Sequence, residues 1–388
     1  MSEVPASVPV SVPVNVPGVF PLDEYPIHQI PAPIEYVGTD RNFYDRSYWN
    51  AHDRSGEIFL ISGIGYYPNL GTKDAFLLIR RGDEQTALHF GDKLDSDRLN
   101  QHVGNYRIEV IEPLKTSRLV VEETEGISLD MTWRGLFPAI PEQRHIMRAG
   151  GYRAILDAQR FAQVGSWEGS LTIDGQTYEV TPDKWIGTRD RSWGARPVGE
   201  AEPAGKPADP PFDGMWWLYV PIAFRDFAMV VIIQEEPDGT RILNDCHRVW
   251  PDGRMEQLGW PLVRTSYRSG TRTPISGSVE FRTPDGTEVT VDLESLLPLA
   301  IHVGGGYGGD SDWSHGQWRG EGWSERVTYD MTDPQVIGRV AFGLTDNVGR
   351  AVWREAGKEP QEGWGLYEHG VIGLHHPTGF TDWFTNAP

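Results

Sequence analysis

The sequence predicts an all-β protein, with two β-barrel modules in tandem behind an extended, Pro-rich N-terminal arm. Three observations predict it. Apolar runs of strand length recur along the chain with turn dipeptides between them. Gly and Pro are abundant, 44 and 29 of 388 residues, and aromatic residues reach 11%. Helical periodicity is scarce, with residues 143–155 the best short candidate.

The arm is residues 1–21, where Val4-Pro5, Val8-Pro9, Val12-Pro13 and Val16-Pro17 repeat. Pro removes backbone donors and favours polyproline II, so this segment reads as a strap or tail. Strand-length runs follow at 59–67, 75–80, 106–111, 119–122 and 127–133. They resume at 215–222, 227–234, 279–282, 289–293 and 339–344. Asp174-Gly175, Asp238-Gly239, Asp252-Gly253 and Asp285-Gly286 supply hairpin turns between them. The halves echo each other in order. Asp74 matches Asp226, Asp130 with Pro138 matches Asp292 with Pro298, Gly-x-Trp-x-Gly at Trp167 matches that at Trp318, and the Gly187–Asp190 stretch matches Gly343-Leu-Thr-Asp346. Near-constant offsets suggest a duplicated module. The Pro/Gly/Ala/Glu-rich stretch 197–211 is the natural joint, giving an N-terminal module over 22–197 and a C-terminal one over 198–388. Roughly eight strands per barrel leave room for one small ligand.

Composition excludes several functions. A formal net charge of −20 disfavours nucleic acid and anionic membrane surfaces as partners. A single cysteine, Cys246, rules out an internal disulfide framework and a thiolate metal cluster. Its neighbours Asp245 and His247 lie on the opposite strand face, so Cys246 is not read as a nucleophile. No basic, apolar leader and no run of ~20 apolar residues stands out, so the expectation is a cytoplasmic protein without membrane insertion. A homo-oligomer is compatible with the sequence.

The densest chemistry lies at 185–197, where Arg189, Asp190, Arg191, Trp193 and Arg196 crowd together. On a strand, Arg189, Arg191 and Trp193 share one face, and Asp190 and Ser192 the other. Asp190 is expected to pair with Arg189, Arg191 or Arg196, and two readings stand side by side: an Arg–Asp–Trp clamp that locks the two modules together, or a ligand-facing carboxylate held by arginines beside an aromatic wall.

Gly187-Thr-Arg189-Asp190-Arg191-Ser192-Trp193-Gly194 resembles the signature of the hydroxyneurosporene synthase (carotenoid 1,2-hydratase) and AttH-like group. The Asp23–Gln29 opening, the Asp40–Arg46 run and the stretch from His315 to Gly320 resemble an actinobacterial-type branch of it. The resemblance implies tandem lipocalin-like β-barrels handling an apolar, isoprenoid or lipid-like small molecule. The hydratases carry Asp-His-Asn-Trp where this chain has Asp190-Arg191-Ser192-Trp193. The role of that His is not carried over, since an arginine is a poor proton donor at neutral pH.

His315 and Trp318 form a second constellation, as proton-transfer group and cation-stabilising ring, expected to converge on a pocket with Tyr307 or Trp323. The expected His315 ring is partly buried and titrates near neutrality. A solvent-facing turn histidine is the competing reading. Asp245 beside His247 is a third candidate. The glycine run 304–309 contains G-x-G-x-x-G but has no βαβ context, so it reads as a loop carrying Tyr307, not a dinucleotide site. Glu368-His369 and His375-His376 lack metal-ligand spacing, and neither metal nor cofactor is expected. Asp40, Arg41, Tyr44, Asp45 and Arg46 read as a charged lattice fixing the first strand.

These features favour an enzyme acting on an apolar unsaturated small molecule by acid-assisted hydration, isomerisation or cyclisation. Asp190 or His315 would transfer the proton. Trp193, Trp318 and Tyr307 would line the pocket, and Arg196 and Asp245 would meet polar parts of the substrate. The alternatives are a carrier of a terpenoid, steroid or acyl ligand and, from composition alone, a carbohydrate-active protein.

Overall fold

The computed structural model describes residues 19–26, 39–149, 153–198, 211–307, 310–341 and 343–388. Residues 1–18 of the arm, most of the joint and glycines 308 and 309 lie outside them.

In chain order the strands are β1 (Phe43–His52), β2 (Ile58–Tyr67), β3 (Thr72–Arg81), β4 (Glu84–Lys93), β5 (Gln101–Val103), β6 (Tyr106–Glu112), β7 (Thr116–Thr124), β8 (Ile127–Gly135), β9 (Ile140–Pro141), β10 (His145–Ala149), β11 (Arg153–Ile173), β12 (Gln176–Val180) and β13 (Ile186–Ala195). The second half adds β14 (Gly214–Ala223), β15 (Ala228–Glu235), β16 (Arg241–Val249), β17 (Met255–Gln257), β18 (Leu262–Tyr267), β19 (Pro274–Arg282), β20 (Glu288–Ala300), β21 (Trp323–Asp330), β22 (Thr345–Glu355), β23 (Gln361–Leu366) and β24 (Glu368–Gly373). Among the described residues one short α-helix, α1 (Pro334–Val340), interrupts them. No helix among the described residues is long and apolar enough to cross a membrane.

Both sheets follow one plan. The first runs β4-β3-β2-β1-β13-β11-β8-β7-β6-β5, and the second β17-β16-β15-β14-β23-β22-β20-β19-β18, with β24 paired to β14 and β22. In each, a four-strand meander joins through its first strand to the module's last strands. Each sheet curls around its own apolar core. Trp49, Trp133 and Trp167 pack edge-to-face inside the first, and Phe224, Phe227 and Trp353 inside the second. A third core fills the seam, where Tyr48, Phe59, Ile61 and Phe76 meet Trp217, Tyr219, Val230 and Leu299. Strands β1 and β2 are therefore buried on both faces. Sheets covered on both sides need apolar residues on both.

The structure refines several expectations. The expected helix over 143–155 is replaced, in its described residues, by β10 (to Ala149) and the start of β11 (from Arg153), which pair antiparallel; the pairing partner supplied by β11 overrides weak helical propensity. The expected strand at 339–344 is not formed by its described residues either, since α1 runs to Val340 and β22 starts only at Thr345. Asp174-Gly175 makes the hairpin turn between β11 and β12, with positive φ at both residues (51° and 81°). Of the echoed pairs, Asp130 and Asp292 fall on corresponding strands, β8 and β20. Asp74 is buried in β3 whereas Asp226 is exposed in a turn, and Trp167 is buried in β11 whereas Trp318 lies half-exposed in a turn. Those two pairs share only turn-type sequence. Finally, β21 leaves its own half and pairs antiparallel with β4.

A buried acid fastens the N-terminal segment. Glu24, in the 3-10 turn Pro21–Glu24, meets Arg189 at 2.5 and 2.9 Å, and both side chains are at most 3% exposed. Its backbone oxygen accepts from Gln101 and Arg191, and its carboxylate accepts from the Leu114 amide. Burial pushes the Glu24 pKa up, but Arg189 and these donors outweigh it and hold it below the usual carboxylate range. Glu24→Ala should cost about 3–5 kcal/mol in urea denaturation, because it strands the buried Arg189 guanidinium. An unchanged midpoint would show that Glu24 is not the fastening.

Candidate active site in the seam

Strand β13 is the hinge of the site, and its alternation sorts the side chains. Arg189 and Arg191 point into the first module, toward Glu24 and Asp45. Asp190 points into the seam. Its cross-strand partners are Tyr48 and Ala162, and the next pairs on that face add Arg46, Arg160 and Tyr44. The motif's glycines permit this packing. A Cβ on Gly187 would lie 1.9 Å from the Asn50 carbonyl oxygen, and one on Gly194 (φ 137°) 2.0 Å from that of Asp157.

From the second sheet, Trp217, Tyr219, Asp346 and Glu368 face the same space. Tyr48 Oη donates to Asp346 Oδ2 (2.5 Å), and Trp217 Nε1 to Glu368 Oε1 (2.5 Å). Arg160 bonds Glu142 and lies over the Trp217 and Tyr219 rings at 5.8 and 5.3 Å. Arg160, Asp190, Arg196, Tyr307 and Glu368 lie deep in the seam yet keep accessible surface. They border the space between the two sheets, the candidate cavity.

The cavity is electrically polarised. At one end four carboxyl groups gather: Glu142, Asp190 and Glu368 within the field of one guanidinium, Arg160, and Asp346 beside Glu368. Burial therefore dominates. It raises Asp190 to about 7, with Glu142 and Glu368 adding to the rise and Arg160 and Arg46 opposing it. Glu142 is raised by burial against its bond to Arg160. Asp346 and Glu368 lie within hydrogen-bonding reach of each other. Two carboxyls bond only through a shared proton; burial raises both, Asp346 adds to the rise of Glu368, and the Asp190 charge adds to that of Asp346, whose bonds to Tyr48 and Glu368 oppose it. At the other end the balance reverses. Arg46 and Arg196 stand among Tyr44, Tyr67 and Tyr307, with Asp74 the nearby acid. Arg46 Nη2 donates to Tyr67 Oη (3.1 Å), while its Nε and Nη1 are buried without a partner. Asp74 is raised to about 7 by burial, against Arg46 and donors from Gly316 and Tyr67.

The match to a protein family covers residues 19–381, nearly the whole chain, and that family is described as Family of unknown function (DUF8625). The chain belongs to this family. No curated protein matches it. Kievitone hydratase from Nectria haematococca is similar in structure, with TM-score 0.51, 14% identity, and 92% of this chain and 94% of that one covered. CghA with Sch210972 gives 0.51 at 13%, covering 89% and 94%. A putative AttH from Nitrosomonas europaea gives 0.50 at 12%, covering 92% and 99%. At these identities the likeness is one of fold, and the all-β, tandem lipocalin-like architecture of this DUF8625 member is the one these structures share.

The residues singled out in the sequence fall into three groups. Asp190, Arg196 and Tyr307 line the cavity. Asp190 forms no salt bridge with Arg189, Arg191 or Arg196, contrary to the clamp; Arg189 and Arg191 are taken by Glu24 and Asp45 on the far face of β13. His315 and Asp245 stand behind the wall. The His315 ring is buried against Tyr307, Phe76 and Trp313, with Nδ1 3.6 Å from Asp74 Oδ1. It does not titrate near neutrality: burial, then Arg46 and Arg196, hold its pKa well below the usual value. Asp245 accepts from the Gln143 amide (2.6 Å) and lies 3.2 Å from His247, which makes it an anchor for the chain before β10. Trp193 and Trp318 do not belong to the site. Trp193 shares the Arg191 face and packs near Val19, Ala139 and Phe161, while Trp318 is 50% exposed and does not converge with His315.

Arg46, Tyr48, Glu142, Arg160, Asp346 and Glu368 were not singled out from the sequence as site residues. The alternation Tyr44-x-Arg46-x-Tyr48 on a strand was the available signal: Asp45 indeed fixes the first strand, but its neighbours turn to the cavity. Cys246 is buried in the second core, its thiol pushed up to about 12 mainly by burial. Among the described residues no group of three or more His, Cys, Asp or Glu is placed to hold a metal ion.

Asp190 is bound more tightly to its proton in the folded protein than in the unfolded chain. As pH rises from about 4 to about 7, this group therefore withdraws stability from the fold. Asp190→Asn should melt close to the parent near pH 4.5 and above it at pH 8, the gap widening between. Scanning calorimetry across that range checks this; a constant gap would contradict the raised pKa. Trp318→Ala should leave stability within about 0.5 kcal/mol by the same measurement.

Proposed function

We propose that this protein is an enzyme that uses a carboxylic acid, Asp190, to protonate an unsaturated small molecule enclosed between its two sheets. The observation that carries the reading is Asp190 itself: accessible from the space between the two sheets, free of any salt bridge, and raised to about 7. A general acid works best with a pKa near the working pH.

The polarised walls define the substrate further. Arg46, with two buried N–H groups unpartnered, and Arg196 would hold an oxygen-bearing end, leaving the unsaturated body beside Trp217, Tyr219 and Asp190. A purely hydrocarbon ligand would leave those donors unsatisfied, so the favoured substrate is an apolar molecule with a carbonyl or hydroxyl group. In a hydration, the Asp190 proton goes to one alkene carbon and water adds to the other. The water's surplus proton returns to the Asp190 carboxylate, so the net change is addition of H and OH. If a neighbouring C–H loses the proton instead, the outcome is isomerisation. Electron-rich rings favour the intervening positive charge. Kievitone hydratase, of the same fold, supports an enzymatic reading.

Turnover of a panel of unsaturated terpenoid, steroid and polyketide-like carbonyl compounds, followed by product analysis, tests this. The rate should fall above about pH 7 as Asp190 ionises. Asp190→Asn should lose about 100- to 10,000-fold in kcat while still binding. Arg46→Gln should raise KM more than it lowers kcat. Tight binding with no turnover by the parent would replace this reading with a carrier.

A further inference from the structure

A second cavity opens at the edge of the seam and shares no lining residue with the site above. Its volume is about 530 Å³, within the range of small-molecule pockets. Apolar walls come from Pro298 and Ala300 at the end of β20, Ile337 and Val340 of α1, and Trp383 and Phe384 near the C-terminus. Ile337 and Phe384 are exposed, so apolar surface continues to the rim.

Two arginines break this apolar lining. Arg80, near the end of β3, is only 8% exposed, yet its Nε and Nη1 are buried with no hydrogen-bond partner. Arg268 lies close enough to repel it, and Asp83 is the acidic group whose field reaches it. No carboxylate among the described residues forms a salt bridge with either arginine, in a chain with net charge −20. The third arginine, Arg272, is spent otherwise. Its guanidinium donates to the carbonyls of Val371, Gly373, Asp382 and Thr385 and so fixes the wall that carries Trp383 and Phe384. A buried guanidinium with idle donors is costly unless something accepts from them. A carboxylate matches its fork and offsets the repulsion from Arg268.

We propose that this cavity is a binding site for an amphiphilic carboxylate, its head on Arg80 and Arg268 and its chain along α1 and the C-terminal segment. The site is independent of the acid chemistry at Asp190. Its outer wall stands back to back with the active site, since Thr345 and His369 line it while the next residues along each strand, Asp346 and Glu368, face the seam.

Isothermal titration with decanoate, decan-1-ol and acetate tests the proposal. Decanoate should bind one to one, roughly tenfold or more tighter than decan-1-ol, since a hydrogen bond to a charged group is worth about that much, and acetate far more weakly. Arg80→Gln should weaken decanoate about tenfold or more while melting no lower than the parent, because it removes an unpaired buried charge. Gly338→Trp, which places a ring at the mouth where a side chain meets nothing within 4 Å, should block decanoate without touching Arg80. Asp190→Asn should bind decanoate as the parent does. Equal binding of acid and alcohol, or decanoate binding untouched by both Arg80→Gln and Gly338→Trp, would overturn the site. So would loss of decanoate binding in Asp190→Asn alone, which would put the ligand in the seam.

Discussion

The interior rests on the two-faced character of β13. This strand closes β1 onto β11, so every second residue enters the first module and the rest enter the seam. Arginines on the inner face demand acids there, and Glu24 and Asp45 supply them. Once those pairs are made, Asp190 is left on the other face with no arginine of its own strand to answer it. The fastening of the N-terminal segment and the freedom of the seam carboxylate are thus two sides of the same alternation.

Charge imbalance inside the seam does the rest. Four buried carboxyls that share one guanidinium, Arg160, between them cannot all ionise at little cost. Protonation is the least costly relief, and it leaves neutral acids at one end and unsatisfied guanidinium donors at the other. Such a field is costly for the fold and useful for chemistry, because it is aimed before any ligand arrives. The neutral histidines, His52 and His145 lowered to about 4 and His315 lower than usual, follow from the same burial and add no cations to correct the balance.

Much of the architecture was legible in the sequence. Strand length, Asp-Gly turns and scarce helical periodicity are local signals, and they pointed to the observed all-β class. Asp190 was legible because its alternation with Arg189 and Arg191 is also local. What failed was long-range. The acids that add to the rise of Asp190 come from strand β24 and the segment before β10, and no spacing rule joins residue 142 or 368 to 190. Trp318 misled for the opposite reason: its local pattern copies that around Trp167, yet Trp167 sits on β11 inside the first core while Trp318 lies outside any strand and half-exposed. Asp346 was noticed as an echo of Asp190, and the two turn out to be neighbours in space rather than counterparts in a repeat.

Strand β21 changes how this protein can come into being. The first sheet's outer edge at β4 is covered by a strand that the ribosome makes only after most of the second half. Until residue 330 has emerged, that edge presents open backbone donors and acceptors to any passing strand. The halves are thus interlocked rather than merely linked. Cutting the gene near the joint would yield two fragments, one with a raw edge and one with an orphan strand. Their natural remedy is to find each other, so co-expressed halves offer a ready-made complementation pair.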